Sequence, residues 1–341
     1  MLKSLTAAIL LAGAFVAYGA SAAVLKLATI TPEGSGWMKQ MRVGAKEIKE
    51  RTDGRVIIKL YGGGVMGNDK KVLRKIRIGQ LHGGAFPASG LAERYPDINL
   101  YGLPLVFESL DEVDYVRARM DDKLQQGLED AGFVSFGFAE GGLAMLMSNR
   151  PVRSLEDLKG QKIWVPEGDA ISYSAMAALG LSPVTLPITD VLTGLQTGLL
   201  DIVGISPVGA LVFQWHTKIK YITRLPVSYL IGFMVVEKRA FERLEDQDQA
   251  VVREVMERIY TGFNDSNRAD NEEATEALLA TGIEYVEPSA EEVPKWRAVV
   301  SEANRAQGNS GAFDPGLLDE MLAYMKEFKE RAEQSIALEN N

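Results

Sequence analysis

No cysteine occurs in the 341 residues, which excludes disulfides, thiolate metal sites and cysteine nucleophiles. Histidine is nearly missing too. His82 and His216 are the only two, and no H-E-x-x-H, G-x-S-x-G or metal-ligand spacing is present. Positive charge is in deficit, with 37 Lys and Arg against 46 Asp and Glu and a net charge of -9. Phosphate contacts need clustered cations, so this balance argues against a nucleic-acid partner and disfavours an anionic membrane surface. No low-complexity tract or solenoid repeat is visible. Past the N-terminus no segment is apolar enough to span a membrane, and "ALVFQWHTKIKYI" breaks its own run with His and Lys.

What is present begins with "MLKSLTAAILLAGAFVAYGASAA". A single cation, Lys3, precedes an apolar run from about Leu5 to Val16 and the small triplet Ala20-Ser21-Ala22. That order reads as a cleaved secretory signal over residues 1–22, and no cysteine follows for a lipid anchor. The expectation is an exported chain starting near Ala23.

From there strands and helices alternate. Strands are expected at Val24–Ile30, "RVIIKLY", "LHGGAF" and "FVSFGFA". Helices are expected over about Met38–Arg51, over "KKVLRKIRI" capped by Asn68 or Asp69, and over about Asp111–Asp130. The pattern restarts at Arg150. Ser154 caps "LEDLK", strand "QKIWV" follows, and a helix "AISYSAMAAL" ends at Gly180. Then come "PVTL", a helix "TDVLTGLQTGLL" capped at Thr189 or Asp190, "DIVGI", a helix through "GALVFQWHTKIKYI" and the strand "YLIGFMVVE". The last third is helical, with spans at Asp246–Asn271 and on to Ala280, a capping box at Ser289 and Glu292, and a final helix from about Pro315. Alternation of this kind implies an α/β fold with mostly parallel sheets. Two such runs suggest two lobes, crossed more than once by the chain, with a ligand cleft between them.

"GGGVMG" formally matches a dinucleotide fingerprint, but no acid follows about twenty residues later and the helix starts only after Asn68. A plain glycine loop is the reading, and no cofactor is expected. The loops that follow strands share small residues with aromatics: Trp37 in "TPEGSGW", Phe86 and Ser89 in "AFPASG", Trp164, Glu167 and Asp169 in "KIWVPEGD", and Ser206 in "GISPVG". Ligands of α/β sheets sit at the carboxyl ends of strands. With Trp215 these residues make a candidate cleft with flat, apolar walls, although each aromatic alone is also ordinary packing. Glu140 and the pair Glu167/Asp169 could instead serve as two hydrolytic carboxylates. A secreted α/β hydrolase using Glu140 or Glu167 is therefore the competing reading.

"RPVRSLEDLKGQKIWVPEGD", "ALGLSPVTLPITDVLTGLQTGLLDIVGISPV", "TPEGSGW", "LYGGGVMGND" and "PLVF" together resemble the dicarboxylate-binding type of periplasmic solute-binding protein of tripartite ATP-independent periplasmic (TRAP) transporters. The resemblance runs from about Leu25 to Leu244 and implies a two-lobed periplasmic-binding-protein-like fold with long C-terminal helices. It implies lobe I over 24–145 plus about 226–255, and lobe II over 146–225 plus about 256–335. It also implies a receptor, not an enzyme, that passes a small molecule to a small and a large membrane subunit. Three departures stand against the family pattern: Trp164 and Leu143 occupy positions where the family has ligand-binding Arg, and Ser206 replaces an Asn. An indole cannot grip a carboxylate as a bidentate guanidinium does. The expected ligand is therefore aromatic, apolar or weakly acidic, not a standard C4-dicarboxylate; the alternatives are a cationic ligand, resting on Glu140, Glu167 and Asp169, and an organic acid held by Lys162 or a lobe II backbone amide in place of the Arg. The missing Arg is also similar to a subset associated with a periplasmic tetratricopeptide-repeat protein, which adds that protein to the implied partners.

Overall fold

The computed structural model describes residues 22–339. The expected export signal lies outside the described residues apart from Ala22.

Lobe I is built from β1 (Ala23–Ala28), α1 (Gly36–Arg51), β2 (Val56–Tyr61), α2 (Asp69–Arg77), β3 (Gly83–Pro87), α3 (Ala88–Leu91), α4 (Leu110–Asp130) and β4 (Phe133–Ser135). The chain leaves it along β5 (Ala139–Ser148). Lobe II follows, with α5 (Leu155–Leu158), β6 (Trp164–Pro166), α6 (Ala170–Ala178), β7 (Val184–Leu186), α7 (Val191–Thr197), β8 (Ile202–Ile205) and α8 (Pro207–Val212). β9 (Tyr221–Glu237) returns to lobe I, followed by α9 (Lys238–Phe241), α10 (Asp246–Ala280), β10 (Glu284–Val286), α11 (Val293–Asn309) and α12 (Pro315–Glu339). Among the described residues no helix is long and apolar enough to cross a membrane.

Strand order runs β2-β1-β3-β9-β5-β8. The β1 pairings with β2 and β3 are parallel, as alternation predicts, but β9 runs antiparallel to β3, β4 and β5. The sheet is therefore mixed. β5 and β9 pair along their lengths, from Ala139↔Gly232 to Ser148↔Tyr221, and so serve both lobes. Their register slips between Glu140 and Gly142 and again around Met145, where Pro226 lacks a ladder donor. In the β3 ladder only glycine fits: a β-carbon at Gly83 would lie 2.0 Å from the Val235 carbonyl oxygen.

Caps place several helix starts. The Ser35 side chain accepts from the Met38 N–H, Asn68 from Lys71, and Ser154 and Asp157 form a reciprocal box. The expected box at Ser289 and Glu292 does not form. The Ser289 N–H goes to the Arg153 carbonyl, and α11 starts only at Val293. The expected helix over "GALVFQWHTKIKYI" is broken by Gln214, whose φ of 60° ends α8 before a 3₁₀ turn at Trp215–Lys218. "FVSFGFA" is divided between β4 and Ala139 at the start of β5, with Gly137 turning the chain at φ 120° between them. The two expected C-terminal spans are one 35-residue helix, α10.

One buried cluster joins the faces of β1–β4 to α1, α2 and α4, and lobe II has two of its own. Val255, Ile259, Phe263, Leu318, Met321 and Met325 belong to the lobe I cluster. The first half of α10 and the start of α12 thus bury their apolar stripes in the same cluster as β1–β4.

Candidate functional site

The carboxyl ends of the strands in the two lobes meet. A β-carbon at Gly64, in the loop after β2, would sit 3.3 Å from the Thr189 methyl, in the loop after β7. One at Gly168, after β6, would sit 3.7 Å from the Ser89 carbonyl oxygen, after β3. Polar contacts tie the same edges. Asn68 Nδ2 donates to Glu167 Oε2 at 2.9 Å, and Lys70 Nζ donates to Glu167 Oε1 at 3.3 Å. The first turn of α2 thus clasps a lobe II carboxylate, and the cleft is closed along this seam.

Asp69 stands in the same turn, packed so closely on Gly90 that a β-carbon there would lie 2.8 Å from Asp69 Oδ2. Its carboxyl is pushed up to about 6, by burial first and by the Glu167 charge second. The folded form then holds this proton more tightly than the unfolded chain does. Its contribution to stability is full below the unfolded value and is lost as pH rises through about 6, where the buried carboxylate ionises. Asp69→Asn is expected to stabilise the protein at neutral pH by about 1–3 kcal/mol. The gain should vanish toward about pH 4. Urea midpoints of both proteins across that range check it, and an equal midpoint difference at both ends would refute it.

Trp164 heads β6 and is 6% exposed. Its indole N–H donates to the Leu186 carbonyl oxygen at 2.9 Å, and its ring meets Trp215 edge to face at 5.1 Å. Trp215, 1% exposed, belongs to the same lobe II cluster. Asp169 caps α6 by accepting from the Ser172 N–H, and burial raises its carboxyl above the ordinary range. Ser206 caps α8, accepting from the Gly209 N–H. Phe86 is buried in the lobe I cluster opposite Phe233. Half-buried Trp37 stacks on Phe263 of α10, and half-buried Leu143 pairs with Tyr229 across β5 and β9.

Glu140, 3% exposed, is bound from several sides. Arg268 of α10 donates to both carboxylate oxygens, at 3.3 and 3.2 Å, and the Tyr229 hydroxyl donates to Oε2 at 3.4 Å. Asn264 Oδ1 accepts from its N–H, and Asn267 Nδ2 donates to its carbonyl. Arg117 connects further, donating to the Tyr229 hydroxyl and the Phe138 carbonyl and pairing with Asp121.

The structure thus brings Ser89 and Glu167 to the seam and sets Trp164 beside Trp215. Glu140, Glu167 and Asp169 each have different partners. One acid is ion-paired to Arg268, one caps a helix and the third is clasped by lobe I, so none is a spare counter-charge. The same engagements leave the hydrolase reading without a free carboxylate pair. Asn68, Asp69, Lys70 and Arg268 were not among the expected site residues. Asn68 carried a signal only as a cap, and its unused amide is what reaches Glu167. Among the described residues, no group of acids and histidines could hold a metal ion.

Comparison with known proteins follows from this geometry. The family model for bacterial extracellular solute-binding protein, family 7 (DctP), matches residues 27–309. The chain is similar to the C4-dicarboxylate-binding periplasmic protein DctP of Rhodobacter capsulatus, 24% identical over 278 residues, covering 80% of this chain and 81% of that protein. Its fold is similar to a TRAP periplasmic solute binding protein from Xanthobacter autotrophicus with bound β-D-galacturonate. That likeness has a TM-score of 0.80 at 22% identity, covering 89% of this chain and 99% of that one. A TRAP periplasmic solute binding protein from Desulfovibrio salexigens with bound orotic acid has a TM-score of 0.80 at 19% identity, covering 91% and 99%.

Proposed function

Since the chain belongs to the bacterial extracellular solute-binding proteins of family 7, the periplasmic receptors of TRAP transporters, we propose that it captures a small aromatic, apolar or weakly acidic ligand and delivers it to the membrane subunits. Export through cleavage of residues 1–22 belongs to the same reading. The relatives named above bind carboxylates, and a carboxylate of low charge fits here if backbone donors receive it. The observation that carries the ligand class is Trp164: its donor is spent on the Leu186 carbonyl, so the head of β6 offers no cation and no free donor to a carboxylate.

Thermal-shift measurements with succinate, malate, galacturonate, benzoate and indole-3-acetate test it. Stabilisation by the aromatic monocarboxylates is the expected result. Stabilisation by succinate or malate and by neither aromatic compound overturns the ligand class.

Capture in such a receptor depends on closure, and closure here includes the Asn68–Glu167–Lys70 clasp. Glu167→Ala removes both bonds. Ligand release is expected to quicken about two- to tenfold, the equivalent of about 0.5–1.5 kcal/mol. Stopped-flow tryptophan fluorescence reads this, and unchanged release would mean that the clasp does not hold the closed form.

A further inference from the structure

The chain is acidic as a whole, yet α2, "DKKVLRKIR", sets Lys70, Lys71, Arg74, Lys75 and Arg77 against the single acid Asp69. Val72 and Ile76 are buried on its inner face. Lys70, Lys71, Arg74 and Arg77 are exposed on the outer one. Exposed Val65 (71%) precedes the helix and exposed Ile78 (56%) follows it. Lys70 is paired with Glu167, and Lys75 donates to the Met66 carbonyl. Among the described residues no acid pairs with Lys71, Arg74 or Arg77.

Within the chain this stripe has a cost. Like charges three and four positions apart destabilise a helix by a few tenths of a kcal/mol per pair. The macrodipole favours cations in the last turn, which accommodates Arg74 and Arg77, but opposes Lys71 in the first. Burial of Val72 and Ile76 holds the helix in place, and an acidic partner surface would relieve the repulsion on its outer face. A continuous anionic lipid surface is a poor source, because the remainder of the chain is more acidic still and would be repelled by it. A bounded acidic face can be met by α2 alone.

We propose that the outward face of α2, with Val65 and Ile78 at its ends, docks on a bounded acidic, partly apolar periplasmic face of the TRAP membrane subunits. This rests on the transporter reading above. The clasp between Lys70 and Glu167 places that face directly beside the seam between the lobes.

The test compares two charge-matched variants of the full mature chain. In one, Lys71→Gln, Arg74→Gln and Arg77→Gln empty the stripe. In the other, Lys46→Gln, Arg305→Gln and Lys326→Gln remove exposed cations elsewhere. Association is measured with the small and large membrane subunits in zwitterionic nanodiscs, over a range of salt. The first variant is expected to associate about tenfold more slowly with a flatter salt dependence, while the control keeps the wild-type rate. Equal rates for both variants overturn the surface assignment. So does loss, in the first variant only, of binding to subunit-free anionic nanodiscs, which would make lipid the occupant. A change in self-association on sedimentation would make it a second copy. Failure of the wild-type chain to bind the subunits at all overturns the transporter reading itself, a distinguishable result.

Discussion

Trp164→Ala is expected to destabilise the protein by about 3–5 kcal/mol, the range for emptying a large aromatic from a packed interior. The indole is 6% exposed, meets Trp215 edge to face and spends its N–H on the Leu186 carbonyl. That carbonyl also accepts from the Glu167 N–H, so Trp164 helps fix the loop that carries the interlobe clasp. Trp164→Phe separates the terms. It keeps a ring against Trp215 and loses the donor, with an expected cost of about 1–2 kcal/mol. Urea unfolding of the two variants checks the order. A cost for Trp164→Ala below about 1 kcal/mol would mean that the ring is replaced by water and lies open to the cleft.

The same residue marks how far sequence reasoning reaches. Its place in a strand that runs into Pro166, a turn and a helix was legible because strand, turn and helix each have local signals. Comparison with a family pattern also marked it as unusual. Which way the ring points was not legible, since Trp215 lies 51 positions on and meets it only after β7, β8 and α8 are in place. Glu167 and Asp169 show the limit more sharply. They stand two positions apart in one loop, yet one caps the following helix and the other crosses to α2. The α/β class and the two lobes followed from alternation alone. The mixed direction of the sheet did not, because β9 continues through Pro226, a residue that reads locally as a break.

Glu140 is the residue whose context changed most between sequence and structure. As a lone acid after a strand it suggested chemistry, and its partner Arg268 lies 128 positions away in a helix with no motif to announce it. The pair joins α10 to β5 where the β5–β9 register first slips. Removing one member of such a pair leaves a buried charge uncompensated, which costs about 3–5 kcal/mol. Arg268 is about one-third exposed, so water can follow its loss and the lower end is expected, about 3 kcal/mol for Arg268→Ala. Glu140→Gln in the same background removes the stranded charge and keeps the amide within reach of the Tyr229 hydroxyl. The double variant should recover at least half of the loss. Denaturant midpoints of the two single variants and the double close the cycle. If Arg268→Ala costs less than about 1 kcal/mol, or the double variant is no more stable than Arg268→Ala, the pair does not brace the crossing strands. In that case Glu140 would return to the cleft as a free carboxylate.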